Sequence, residues 1–150
     1  MKLSKLLASS LLITSSLFAT DALVTKATQS GMKSIPENQA ELSKLIDPNG
    51  NMITPERVEL GKKLYFEPRL SKSGIISCNT CHNLGLGGAD GVAAAVGQKW
   101  IANPHHLNAP TVYNAVFYDK QCWDGRSHDL EDQAQGPMPA PPEMASPQEL

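Results

Sequence analysis

Cys78-Asn79-Thr80-Cys81-His82 places two thiols and an imidazole within five residues, and Cys-x-x-Cys-His is the attachment sequence of a c-type haem. On one helical turn, thiols at i and i+3 each reach a haem vinyl group while the imidazole at i+4 comes up beneath the iron as its proximal ligand. The other chemistries of these letters need partners that the chain does not supply. A thioredoxin-like redox site wants Cys-x-x-Cys at a strand-to-helix junction, and structural zinc wants a second ligand pair. Beyond Cys78 and Cys81 the remaining thiol is Cys122, and His105, His106 and His128 do not complete a zinc pattern. The expected cofactor is one haem c, bound covalently by Cys78 and Cys81 with His82 on the iron.

The N-terminus is consistent with that chemistry, because haem c is attached outside the cytoplasm. Met1-Lys2-Leu3-Ser4-Lys5 is a basic leader, followed by an apolar run from Leu6 to Ala19 that is short and serine-rich for a bilayer span. Residues 1–19 are expected to be a cleaved secretory signal, with cleavage near 19–22 and the mature protein in the periplasm; the alternative for such a run is a membrane-anchoring helix. Loss of Lys2 and Lys5 reduces the 13 basic residues to 11 against 15 acidic ones, a net charge of −4 that argues against nucleic-acid binding. About 130 residues then remain, enough for one small domain. A haem would add apolar surface to a core drawn from only 5% aromatic residues.

The elements needed to position this group are short. Ser34-Ile35-Pro36-Glu37 has the form of a capping box, with Leu42, Leu45 and Ile46 following at helical spacing and Asp47-Pro48-Asn49-Gly50 ending the helix in a turn. Thr54 as N-cap and Pro55 at the first helical position open a second helix that stops before Pro68. The haem turn comes next. Residues 85–108 are rich in glycine and small side chains and read as long loops; Thr111–Val116 and Ser127–Gln133 read as short helices on either side of Trp123-Asp124-Gly125-Arg126. Gly136–Pro147 carries five prolines and reads as extended loop, while Ser146-Pro147-Gln148-Glu149 announces a helix just before Leu150. The expected fold is all-α and cytochrome c-like, with short helices and long loops around one covalent haem. Residues 20–150 form its domain, incomplete at the C-terminal end.

An ordered series of motifs resembles the N-terminal half of the bacterial dihaem cytochrome c peroxidases. It consists of Leu60-Gly61-Lys62-Lys63-Leu64-Tyr65-Phe66, Pro68-Arg69-Leu70-Ser71, the haem motif, Asn108-Ala109-Pro110-Thr111, Trp123-Asp124-Gly125-Arg126 and Gln133-Ala134-Gln135-Gly136-Pro137. The resemblance implies a haem that meets hydrogen peroxide, a second haem in a following half, and electrons from a small cytochrome c or cupredoxin-type donor; it leaves a homodimer open. By the same resemblance Glu143 is the acid/base carboxylate, Gln133 a distal amide, and Trp123 a bridge toward the second haem. Asn108 matches a calcium ligand whose companions lie in the following half, so this chain alone does not complete that site.

Gln98 stands where many members carry a histidine that closes the resting iron; an open or water-occupied sixth position, or ligation by His105 or His106, follows from that departure. Cys122, with no thiol partner left after haem attachment, is either a small buried hydrophobe or a cross-linking thiol. Two other functions compete with peroxide reduction. One is a mono-haem electron carrier using Met138 or Met144 as axial ligand, and the other is a related dihaem oxidase acting on a protein substrate. The chain by itself is expected to turn over slowly with a cytochrome donor compared with a two-haem protein.

Overall fold

The computed structural model describes residues 21–47, 50, 53–105 and 107–146. The leader at residues 1–19, His106 and residues 147–150 of the C-terminal capping pattern lie outside the described residues. Two compact units divide the chain between Leu42 and Ser43. In the first, residues 21–29 are helical (α1) and end at Gly31, whose φ of +89° lets Met32 N donate back to Ala27 O at 3.1 Å and close the last turn. Among the described residues no helix is long and apolar enough to cross a membrane.

Helix α2, Gln39–Ile46, begins later than the Ser34 capping box implies. Asn38 caps it instead, its Oδ1 accepting from Ala40 N at 2.8 Å and Glu41 N at 3.3 Å. A side-chain carbonyl next to the first turn satisfies the open amides, so the upstream box has no helix to cap. The turn at Asp47 is held by its carboxylate, which accepts from Ile53 N at 2.9 Å and delivers the chain to Thr54. Helix α3, Pro55–Tyr65, opens as expected, with the Thr54 hydroxyl accepting from Arg57 N at 3.3 Å and Pro55 in the first turn.

The haem motif occupies α4, Cys78–Cys81, a single turn whose entry is fixed by Ser77 N donating to Thr80 Oγ1 at 2.9 Å. Just before it, Ile76 is only 2% exposed and joins Ala109, Ala115 and Met144 as the buried apolar residues of the larger unit. Of the expected helix at Thr111–Val116, only a 3-10 turn at Ala115–Phe117 forms. The reason is local: Val112 N is committed to Gly88 O at 3.2 Å, and Asn114 has left-handed backbone at φ +58°. Helix α5, Leu130–Gln135, is shifted from the expected Ser127 start by its cap, since the Asp129 carboxylate accepts from Asp132 N at 2.8 Å.

Residues 137–146 are not extended. They wind into turns, with Ser146 N donating to Met138 O at 2.7 Å and Ala145 N to Ala140 O at 3.0 Å. Prolines preset φ for turns as readily as for extended chain. β pairing among the described residues consists of two isolated antiparallel bridges, Val96–Ala102 and Gln121–Ser127, so the molecule is helical with almost no strand.

Candidate functional site

The imidazole is positioned first. Loop 83–89 folds over itself, Gly88 N donating to Asn83 O at 2.8 Å, and then docks on residues 111–113 through Thr111 Oγ1 to Gly87 O at 2.6 Å and Tyr113 OH to Leu84 O at 2.8 Å. Gly88 permits this approach, because a Cβ there would meet Thr111 Oγ1 at 2.8 Å and Val112 N at 3.0 Å. The docking brings the Pro110 carbonyl to 2.9 Å from His82 Nδ1. A carbonyl only accepts, so Nδ1 carries the proton and Nε2 keeps its lone pair for a metal. The Tyr65 hydroxyl donates to the His82 carbonyl and ties the C-terminal turn of α3 to the end of α4.

Cys78 and Cys81 are unpaired and half-buried. Burial raises both thiols, Cys81 to about 11 with further help from the negative charges of Asp90 and Glu143. The same unit leaves large apolar side chains exposed, including Leu60, Leu64, Phe66 and Val116. Two free thiols on one turn, an imidazole with its Nε2 lone pair kept available, and uncovered apolar surface fit a covalently attached haem.

A second group converges on the same region through the loop 95–103. Cys81 Sγ lies 3.6 Å from Val96 O; Gly97 N donates to Ile101 O at 3.1 Å to close the turn; Gln98 N donates to Glu143 O at 2.7 Å. Glu143 is half-buried, and its carboxylate Oε1 accepts from Asn103 Nδ2 at 3.3 Å. Gln98 itself is buried, 7% exposed. One loop thus links the turn that carries Cys81 to the segment that carries Glu143.

The other expected residues make contacts of their own. Gln133 is half-buried in α5, its backbone amide donating to Asp129 O at 3.0 Å. Trp123 is 66% exposed at the tip of the Gln121–Ser127 turn, beside an Asp124–Arg126 ion pair of 2.9 Å. This excludes a core role for that indole. Cys122 is half-buried, with its sulfur 3.6 Å from Ser127 Oγ. Asn108 uses its amide on Val92 O at 2.5 Å, His105 lies on an exposed turn, Met138 is half-buried, and Met144 is buried at 6% exposure. Asn103 is the site residue that sequence reasoning missed; the one available signal, Asn-Pro marking a turn, says nothing of a partner 40 residues away.

The family model for the di-haem cytochrome c peroxidases matches residues 55–150. The chain belongs to that family. It is 51% identical over 118 residues to cytochrome c551 peroxidase of Pseudomonas aeruginosa, covering 79% of this chain and 32% of that protein. To cytochrome c551 peroxidase of Nitrosomonas europaea it is 54% identical over 101 residues, covering 65% of this chain and 30% of the relative. The crystal structure of a MauG-like protein associated with microbial copper homeostasis superposes with a TM-score of 0.59 at 28% identity, over 65% of this chain and 28% of that one. The chain therefore spans about a third of the length of the curated relatives it matches. Membership makes c-type haem the family's cofactor, in keeping with the donor set at Cys78, Cys81 and His82.

Proposed function

We propose that this chain is the peroxide-reducing domain of an exported dihaem peroxidase, with residues 1–19 removed on passage to the periplasm. The reading rests above all on a carboxylate, Glu143, tied by loop 95–103 to the turn that carries Cys78, Cys81 and His82. Cys78 and Cys81 would hold a haem by thioethers, with His82 Nε2 as the nitrogen available to its iron; when bound, the haem would supply the redox chemistry. Hydrogen peroxide takes up two electrons and two protons to give two waters, the electrons coming from a small cytochrome c or cupredoxin-type protein.

Glu143 moves one proton within that reaction. Its carboxylate accepts the proton of the nearer peroxide oxygen and returns it to the farther oxygen as the O–O bond breaks, so that water departs instead of hydroxide. Gln133 supplies an amide to orient peroxide or water, and Trp123, exposed at its turn, is the indole that would assist electron transfer from a second haem. Asn108 joins a calcium site only together with that second half. The buried Gln98 places an amide, a poor ligand for haem iron, where many members carry a histidine.

The deciding experiment is E143Q in the haem-loaded protein. Removal of a positioned acid/base group is expected to lower kcat/KM for peroxide by roughly 10²–10⁴-fold. Wild-type turnover in E143Q would refute the assignment. A carrier reading has one observation in its favour, the burial of Met144. A carrier would show a low-spin spectrum indifferent to peroxide, whereas an open site is high-spin and changes when peroxide is added.

A further inference from the structure

Glu143 is gripped at two points by one loop: its backbone carbonyl by Gln98 N and its carboxylate by the side chain of Asn103. Asn103 is well placed to impose an orientation. It is 7% exposed, and its backbone amide donates to Ala95 O at 2.7 Å, immediately beyond the Val96–Ala102 bridge. Its Oδ1 accepts from His105 N at 2.9 Å, which fixes the rotation of the amide plane and turns Nδ2 toward Glu143 Oε1 at 3.3 Å. A carboxylate can only accept, so the two contacts agree on the same assignment of oxygen and nitrogen.

We propose that Asn103 is a positioning residue for Glu143. Its amide engages Oε1 and leaves Oε2 as the oxygen that exchanges a proton with peroxide. The inference rests on the proton-transfer role given to Glu143 above. The competing role for Asn103 is a purely local one, holding the His105 amide in a turn, and the two contacts separate the roles. Asn103→Asp keeps the oxygen that receives His105 N and removes the donor to Glu143.

The test uses the full-length haem-loaded protein with N103D, N103A, E143Q and the N103D/E143Q double variant. N103D is expected to lower kcat at saturating peroxide by about 10- to 100-fold, with the KM for the electron donor unchanged, because a misaimed acid/base group costs rate. N103D is also expected to lower the urea unfolding midpoint, and E143Q to restore it in the double variant, since amide and carboxylate then face each other with their roles exchanged. N103D with wild-type kcat while N103A is impaired would leave only the turn-holding role and overturn the proposal. Additive midpoint shifts in the double variant would overturn it as well. If E143Q alone turned over normally, the role of Glu143 would fall, while the unfolding cycle would still report on the Asn103–Glu143 contact.

Discussion

Gly97 is where the loop carrying Gln98 and Asn103 crosses the segment carrying Glu143. A Cβ at residue 97 would lie 1.7 Å from Pro142 O, 2.7 Å from Pro142 C and 3.2 Å from Glu143 O. These are backbone atoms, so no side-chain rotation relieves the overlap. Ordinary contact begins near 3.4 Å, and Gly97→Ala must therefore part the two segments by about 1.7 Å. Such a separation carries Gln98 N well beyond hydrogen-bonding range of Glu143 O, from its present 2.7 Å. Overpacking costs about 1–3 kcal/mol and a lost buried hydrogen bond about 1–3 kcal/mol, so about 2–6 kcal/mol of unfolding free energy is expected to disappear. A displacement of that size at the carboxylate is also expected to cost about 10² in kcat/KM for peroxide. Urea unfolding of the haem-loaded protein followed by circular dichroism, with stopped-flow peroxide kinetics, measures both effects. Gly61→Ala is the control, since a Cβ on Gly61 in α3 meets nothing within 4 Å and is expected to be neutral or stabilising. An unchanged midpoint and unchanged kinetics in G97A would refute the argument that the two segments depend on this crossing.

Two further outcomes follow from the site. Burial above all pushes the Tyr65 phenol up from 10.0 to about 12; the folded state favours its neutral form, so its stabilisation is complete below pH 10 and is lost as pH rises toward 12. Wild type is thus expected to lose stability relative to Y65F over that interval, and parallel pH curves for the two proteins would contradict it. Alkylation of the denatured, haem-loaded chain should modify Cys122 alone among the cysteines, and intact mass showing three modified thiols would mean that no thioethers had formed.

What could be read from the sequence was whatever is settled by neighbours in the chain. Thr54-Pro55 starts a helix because the cap and the proline act on amides within the same turn. The Ser34 box failed by the same logic, since Asn38 stands closer to the amides that need a partner. The proline-rich Gly136–Pro147 reads as extended because composition does not say which carbonyl each free amide will find; Met144 N finds Pro137 O at 3.2 Å. For the site, Cys-x-x-Cys-His puts forward the proposed haem donors, and the resemblance carried by the ordered motifs puts forward Glu143. Neither reaches the Pro110 acceptor, 28 residues from His82, or the Asn103 amide, because both depend on how glycine-rich loops close.

The acceptor chosen for His82 has an electronic meaning of its own. A peptide oxygen carries no formal charge, so it polarises the N–H it accepts less than a carboxylate would. Were a metal held at Nε2, this ring would donate to it only mildly, and more of the work of peroxide cleavage would fall to the proton carried by Glu143.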